Sequence, residues 1–224
     1  MPVFVYAFIL IYIFLLGYYT VYKKHSSFLA YSVVKMSMST IFTGLAAHAL
    51  FTREFSLPVL LVFISLCFAW AGDFFLRYMG KNAVKFNIGV VCFTVCQLLL
   101  TAVFIYLGRP SFALILAPVL TVLFTVLFWL MLKFSKADLG ISKPFIKSYM
   151  VTMSVLFGAA IYYLFSLNNP GTAAVMLGSG GIMFFISDVF LGVYSYLFKR
   201  RIFTVLNSLL YFGGMLMISL SLYF

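Results

Sequence analysis

Eight long apolar runs, separated by short connections, constrain the fold of this 224-residue chain more than any other feature. A membrane-spanning helix needs about 20 consecutive apolar residues. A membrane β-barrel would instead alternate apolar and polar positions, and these runs are continuous. Only 8% of the residues are charged, against about 25% in soluble domains. The sequence therefore predicts an all-α membrane bundle, one integral domain over residues 1–224, with helices near 2–22, 33–51, 57–78, 83–107, 111–132, 147–166, 172–197 and 202–222.

The basic residues are divided unequally between the seven connections and their helix edges. The even-numbered connections hold only Arg53 and Arg109. This strict alternation is the pattern of a membrane protein whose basic loops face the cytoplasm. It indicates that both termini face away from the cytoplasm and, for a bacterial source, a plasma-membrane location. The odd-numbered connections hold the other thirteen basic residues, which are Lys23, Lys24, Lys35, Arg77, Lys81, Lys85, Lys133, Lys136, Lys143, Lys147, Lys199, Arg200 and Arg201.

The formal net charge of +11 does not indicate a nucleic-acid-binding protein, because the positive charges are placed by membrane topology. Two readings of the basic rim remain open. It contacts anionic lipid headgroups, or it is a solvated face that binds no ligand.

Two aspartates, Asp73 and Asp188, lie inside otherwise apolar runs of a chain that has four acidic residues in all. A carboxylate at the centre of a membrane helix costs about 2.5–3.5 kcal/mol on insertion scales. Intramembrane carboxyls are therefore candidates for a functional site, and we expect these two to form one. A purely structural role for Asp73 is a salt bridge with Arg77, which lies four residues later on the same helix face.

The two halves of the chain align without gaps at an offset of 115 residues. This offset pairs Asp73 with Asp188, Phe75 with Phe190, and Leu76 with Leu191, although matches by chance are frequent in a chain so rich in Phe and Leu. An even number of helices in each half would give the halves the same orientation. The alignment predicts a parallel duplication of residues 1–110 and 111–224, with the site where the halves meet.

Polar side chains at similar depth in neighbouring helices complete the expected site. Each has a simpler interpretation: Lys35 can extend to the membrane surface, and hydroxyl or amide groups often only join helices. The three cysteines lie within helices and the two histidines are far apart, so neither a disulfide framework nor a metal site is expected. The candidate substrate-binding residues are Lys35, Arg77, Gln97, Tyr149, Ser187, Asn207 and Tyr211.

Two short motifs carry a resemblance to a known family. The sequence A-G-D-F-F-L, residues 71–76, lies in the third helix, and F-I-S-D-V-F-L, residues 185–191, lies in the seventh. With the eight-helix layout, they resemble the YhhN-like lysoplasmalogenase family over nearly the whole chain. Lys35 matches the family lysine at the start of helix two, and Tyr211 matches the tyrosine of a Y-Y-L-A-Q pattern in helix eight.

Two positions depart from the family pattern. Helix four of the family carries G-x3-F-x3-H, which matches Gly89 and Phe93 here but has Gln97 in place of the histidine. Met215 stands in place of the helix-eight glutamine.

The resemblance implies hydrolysis of the vinyl-ether bond of a lysoplasmalogen, a lysophospholipid, to a fatty aldehyde and a glycerophospho-alcohol, with no cofactor. Such chemistry needs one protonated and one ionised carboxyl. We expect Asp188, which has no basic residue within a helical turn, to be the general acid. We expect Asp73, supported by Arg77 or Lys35, to stay ionised and activate water. The reverse assignment remains open, because a coupled pair titrates jointly.

The alternative is a small transporter or lipid-binding membrane protein whose aspartates relay protons. Intramembrane carboxyls often serve this role, and parallel duplications occur in transporters. Only the resemblance favours the enzyme.

Overall fold

The computed structural model describes residues 2–22, 28–78, 81–135 and 139–224. Within these ranges, eight α-helices are long and apolar enough to cross a bilayer. This confirms the predicted all-α bundle of eight helices. The helices are α1 (Val3–Tyr22), α2 (Phe28–Thr52), α3 (Leu57–Leu76), α4 (Ala83–Leu107), α5 (Ala113–Ser135), α6 (Lys143–Ser166), α7 (Thr172–Tyr196) and α8 (Arg201–Ser221).

Two helices begin earlier than the apolar runs predicted. Helix α2 begins at Phe28 instead of residue 33, and α6 begins at Lys143 instead of residue 147. In α6 the first turn contains Pro144, whose ring suits the start of a helix. Lys143 in this turn and Lys147 in the next interrupt the apolar run, yet the backbone there is already helical. In α6 the hydrogen-bonded helix therefore extends beyond the apolar run.

Six helices form the interior of the bundle and two lie at its periphery. Helix α7 packs against α8, α3 against α4, and α4 against α6. Helices α1 and α5 bury the smallest share of their residues; α1 packs on α2 and α8, and α5 packs mainly on α6. The main apolar core lies between the interior helices and includes Phe42, Leu66, Leu100, Phe104, Leu156, Phe184, Phe212 and Ile218.

Glycines bring α7 and α8 into close contact. A Cβ atom added at Gly180 would lie 2.8 Å from the carbonyl oxygen of Gly214, and one added at Gly214 would lie 2.7 Å from the carbonyl oxygen of Gly180. Real side chains do not approach backbone this closely. The two backbones therefore pack directly against each other, as small residues allow in membrane helices.

Successive helices reverse direction, so α1, α3, α5 and α7 end at the same end of the bundle, where α2, α4, α6 and α8 begin. We call this the basic end, because Lys133, Lys143 and Arg201 lie at these helix ends. The eight spans indicate an integral multi-pass membrane protein. Which compartment the basic end faces stays a prediction.

Candidate functional site

Asp73 lies on α3 and is 2% exposed. Lys35 Nζ lies 2.8 Å from Asp73 Oδ1 and forms a salt bridge. The hydroxyls of Ser39 and Tyr211 donate hydrogen bonds to Asp73 Oδ2 over 2.6 and 2.7 Å. A buried carboxylate is tolerated when it is paired and hydrogen-bonded. These three groups together provide Asp73 with such surroundings.

The local sequence explains how α2 presents two of these groups. Lys35 and Ser39 are four residues apart, so they lie on one face of α2, and that face packs against α3. Tyr211 reaches Asp73 from α8. The Asp73 carboxylate is therefore held from two neighbouring helices.

Arg77 does not pair with Asp73, so of the two cations considered for this aspartate the structure pairs Lys35 with it, and the alternative of an i, i+4 salt bridge is excluded. The Arg77 guanidinium lies 4.0 Å above the ring of Phe74 and donates a hydrogen bond to the Tyr78 hydroxyl over 3.0 Å. Arg77 follows the last residue of α3 and lies against the outer surface. The Asp73 carboxylate faces the interior of the bundle, where it pairs with Lys35.

Asp188 lies on α7, is 8% exposed, and has only neutral partners. The Tyr149 hydroxyl donates to Asp188 Oδ2 over 2.5 Å, and Gln97 Nε2 donates to the same oxygen over 3.4 Å. Among the described residues, no lysine or arginine lies within salt-bridge distance of Asp188, and Oδ1 accepts no hydrogen bond. The two aspartates therefore differ in their electrostatic surroundings: Asp73 is paired with a cation, and Asp188 has neutral hydrogen-bond donors.

Thr152 orients the amide of Gln97, and the sequence reasoning missed it. The Thr152 hydroxyl donates to Gln97 Oε1 over 2.6 Å, which turns the amide nitrogen toward Asp188. Gln97 is completely buried and does not line the cavity described below, so it lies behind Asp188 instead of facing a substrate. The available signal was position: Thr152 is three residues after Tyr149 and shares its face of α6.

Both aspartates line one cavity of about 150 Å³ in the interior of the bundle. A water molecule occupies about 30 Å³ in the liquid, so this space holds a few waters or a small reacting group. Lys35, Tyr149, Asn207 and Tyr211 line it as well. The full lining is Tyr19, Tyr31, Lys35, Asp73, Leu76, Phe93, Tyr149, Asp188, Leu191, Asn207, Ser208, Tyr211 and Phe212.

Ser187 and Asn207, two expected site residues, have different positions. The Ser187 hydroxyl donates to the carbonyl oxygen of Phe184 over 2.6 Å and is completely buried, so the structure does not bring it to the cavity. Asn207 lines the cavity, and its Nδ2 donates to the carbonyl oxygen of Ser187 over 2.9 Å. Tyr19 and Tyr31, which hydrogen-bond to each other, are lining residues that the sequence reasoning missed.

A second, apolar cavity of about 80 Å³ adjoins the first beside Asp188. The two cavities share Leu76, Phe93, Tyr149, Asp188 and Leu191. The remaining walls of the second cavity are mainly Phe, Met, Ile and Val side chains from α4, α5 and α6. Asp188 therefore lies between a polar space and an apolar one.

The donors to the two aspartates come from corresponding helices of the two halves. Asp73 on α3 is held from α2 and α8, and Asp188 on α7 is held from α6 and α4. Exchanging the halves converts one set into the other. The internal duplication stays a prediction, and this arrangement is what it would produce.

No group of three or more His, Cys, Asp or Glu side chains suited to a metal ion occurs in the described parts of the chain. The polar groups that line the cavity are carboxyl, ammonium, hydroxyl and amide groups.

Comparisons with known proteins identify the family. Neither the curated proteins nor the solved structures gave a match. The family model of the YhhN family matches residues 30–222, a range that begins in α2, ends just after α8 and contains both aspartates. The chain belongs to the YhhN family.

Proposed function

We propose that this protein is an intramembrane hydrolase that cleaves the vinyl-ether bond of a lysoplasmalogen to a fatty aldehyde and a glycerophospho-alcohol. This is the activity that the resemblance to YhhN-like lysoplasmalogenases implies. The observation that carries the proposal is the unequal surroundings of two carboxyls on one cavity. Asp73 has a cation and two hydroxyl donors, whereas Asp188 has only neutral donors among the described residues.

These surroundings favour different protonation states. An ionised carboxyl buried without a cation is costly, by several kcal/mol in real proteins. Asp188 avoids this cost when it is protonated, and its Oδ1, which accepts no hydrogen bond from the described residues, can carry the proton. Asp73 keeps its charge because Lys35 compensates for it at 2.8 Å.

The first step is proton transfer to carbon. Asp188 donates its proton to the alkene carbon remote from the ether oxygen, and the electron pair of the C=C bond forms the new C–H bond. The adjacent carbon becomes an oxocarbenium ion, and Asp188 becomes a carboxylate. The negative charges of Asp188 and Asp73 then stabilise the cation electrostatically.

Water completes the reaction and restores the enzyme. Asp73 accepts a proton as a water molecule adds to the cationic carbon, which gives a hemiacetal. Protonated Asp73 then returns that proton to the ether oxygen as the C–O bond breaks, while Asp188 takes the proton of the hemiacetal hydroxyl. The products are an aldehyde and an alcohol, one water is consumed, and both carboxyls regain their initial states.

The adjoining cavities suit the two ends of such a substrate. The apolar space beside Asp188 fits the start of the aliphatic chain, and the polar space fits the vinyl ether and the attacking water. The phosphate would lie near Lys35 or the basic end. Tyr149 belongs to both spaces and, with Gln97, holds the Asp188 carboxyl where they meet.

The test is aldehyde formation by the purified protein. Wild-type protein in detergent is given a lysoplasmalogen, and we expect one fatty aldehyde for each glycerophospho-alcohol. Asp188→Asn and Asp73→Asn should lower the rate at least about 100-fold, because general acid–base groups contribute about 10²–10⁴-fold. Glu54→Gln is the matched control, because Glu54 lies between α2 and α3 at the opposite end of the bundle.

Two outcomes would contradict the hydrolase. One is equal cleavage of a lysolipid whose ether bond is saturated, because that bond cannot form the oxocarbenium ion by protonation. The other is absence of aldehyde from wild-type protein. If this absence accompanies a proton flux in liposomes that both aspartate variants lose, the protein is a transporter instead.

A further inference from the structure

A groove of about 600 Å³ runs along the outer surface where α1, α2 and α3 meet. It shares no lining residue with the cavity that holds Asp73 and Asp188. Its walls are mostly apolar, with Ile11 and Leu15 from α1, Val33 and Met36 from α2, and Phe74 from α3. A concave space of this size is typical of a small-ligand site.

The groove covers the depth of about one membrane leaflet. On α2 its lining extends from Ser32 to Ile41, and a rise of 1.5 Å per residue makes this about 14 Å. The hydrocarbon core of a bilayer is about 30 Å thick, so the groove spans about half of it. Because Ser32 and Arg77 belong to the helix ends at the basic end, the groove runs from the headgroup level toward the middle of the bilayer.

Arg77 provides a positive charge at the headgroup end of the groove. Within the described part of the chain no carboxylate pairs with it; Asp73, four residues earlier, is paired with Lys35. Its guanidinium is held by the ring of Phe74 and the hydroxyl of Tyr78. A planar guanidinium held in this way presents its remaining N–H groups for a phosphate.

Ser32 provides a second polar group at the same end. It lines the groove and is 8% exposed, and its hydroxyl has no hydrogen-bond partner among the described residues. Buried hydroxyls are rarely left without a partner. The carbonyl and phosphate oxygens of a glycerolipid are acceptors that lie at this level of a membrane.

We infer that this groove is a binding site for one anionic glycerophospholipid, separate from the catalytic cavity. One acyl chain lies along the apolar walls, the phosphate contacts Arg77, and an oxygen of the glycerol region accepts the hydrogen of Ser32. The inference does not depend on the proposed hydrolase, because it concerns binding by a different surface.

Trp70 reports on this groove directly. Its indole N–H donates to the Thr40 hydroxyl over 3.1 Å and its ring stacks on Phe74, and both partners line the groove. The chain has two tryptophans, so Trp129→Phe leaves Trp70 as the only one. The full-length variant is reconstituted in vesicles of phosphatidylcholine that contain a small fraction of either dibrominated phosphatidylglycerol or dibrominated phosphatidylcholine.

We expect brominated phosphatidylglycerol to quench Trp70 with an apparent affinity about fivefold above that of brominated phosphatidylcholine, because one surface cation contributes about that factor. Arg77→Gln should reduce this ratio to about one. Ser37→Phe, which places a ring in the groove, should weaken quenching of Trp70 by both lipids.

The controls distinguish lipid binding at this groove from a general attraction of anionic lipid to the positive surface. Trp70→Phe leaves Trp129, and its quenching should be the same with and without Arg77→Gln, which also shows that the variant is folded. Lys133→Gln removes a basic-end cation that lies over the Trp129 ring and should leave the Trp70 ratio unchanged. Equal quenching of Trp70 by both headgroups would overturn the inference, and so would a preference that survives Arg77→Gln or disappears equally with Lys133→Gln.

Discussion

Lys35 is the only described cation that pairs with either aspartate of the cavity. The Lys35 side chain is 18% exposed, and the Asp73 side chain is 1% exposed. At the scale of single residues, this pair distinguishes the two carboxyls. Without it, Asp73 and Asp188 would both be buried acids with hydroxyl donors.

Replacement of Lys35 by Met should therefore destabilise the protein and stop hydrolysis. Removing one partner of a buried ion pair costs about 3–5 kcal/mol, because the Asp73 carboxylate keeps its desolvation cost. Unfolding in detergent measures the loss, and a second change, Asp73→Asn, should recover most of the stability but none of the activity. A double variant as unstable as Lys35→Met alone would contradict this account.

Thr152 tests whether the orientation of Gln97 matters. Thr152→Val removes the hydrogen bond to Gln97 Oε1 and frees the amide to rotate away from Asp188. We expect kcat to fall about tenfold with little change in KM, because Gln97 contacts the reacting carboxyl of Asp188 and not the substrate.

Thr152→Ser is the matched control and should keep the wild-type kcat, because it retains the hydroxyl. A fall in kcat as large as that of Thr152→Val would mean that the side chain acts through packing.

The residues of the site could be predicted from the sequence where the signal was a polar group in an apolar run. Asp73 and Asp188 stood out for this reason, and Lys35, Tyr149, Asn207 and Tyr211 also line the cavity. Arg77 was misplaced because spacing along one helix does not determine which way a residue at the helix end points. Thr152 was missed because its one signal, a position three residues after Tyr149 on the same face of α6, is shared with hydroxyls that only join helices.

At the scale of helices, the glycine contact between α7 and α8 positions the site. Gly180 is eight residues before Asp188 on α7, and Gly214 is three residues after Tyr211 on α8. A wider spacing of the two helices would therefore lengthen the hydrogen bond from Asn207 Nδ2 on α8 to the carbonyl oxygen of Ser187, the residue before Asp188 on α7.

Gly180→Ala should accordingly destabilise the bundle by about 1–3 kcal/mol, as insertion of a methyl group into a packed interior does. The new Cβ would lie 2.8 Å from the carbonyl oxygen of Gly214, which has to move. Thermal unfolding in detergent measures the change.

Gly44→Ala on α2 is the control, because no atom outside the neighbouring stretch of its own helix lies within 4 Å of a Cβ added there. We expect this variant to be at least as stable as the wild type, since alanine favours a helix over glycine by about 0.5–1 kcal/mol. Equal effects of the two alanines would show that the α7–α8 contact is not tight.

The existence of every helix and the start of most could be predicted from apolar runs, but the first turns of α2 and α6 could not. Hydropathy locates apolar runs and not hydrogen-bonded turns, so it missed the first turn of α6, where Lys143 and Lys147 interrupt the run, and it placed the start of α2 five residues too late. The pairing of α7 with α8 through glycine backbones also lies beyond composition, because many glycines in such a chain face open space, as Gly17 and Gly44 do.

At the scale of the whole molecule, the alternation of charge predicts the orientation in the membrane. In cells that express a variant without Cys67, Cys92 and Cys96, Asn169→Cys should react with a membrane-impermeant maleimide, because the α6–α7 connection is predicted to face outward. Lys199→Cys, between α7 and α8, should react only after the cells are permeabilised. The opposite labelling pattern would show that the protein has the reverse orientation in the membrane.

The proposed hydrolysis requires a protonated Asp188 and an ionised Asp73 on one cavity. Infrared spectroscopy of the protein in lipid bilayers at neutral pH tests this directly, because a protonated carboxyl absorbs apart from a carboxylate. We expect the wild type to show a protonated-carboxyl band that disappears in Asp188→Asn and remains in Asp73→Asn. A band that survives Asp188→Asn and disappears in Asp73→Asn, or the absence of any such band in the wild type, would contradict it.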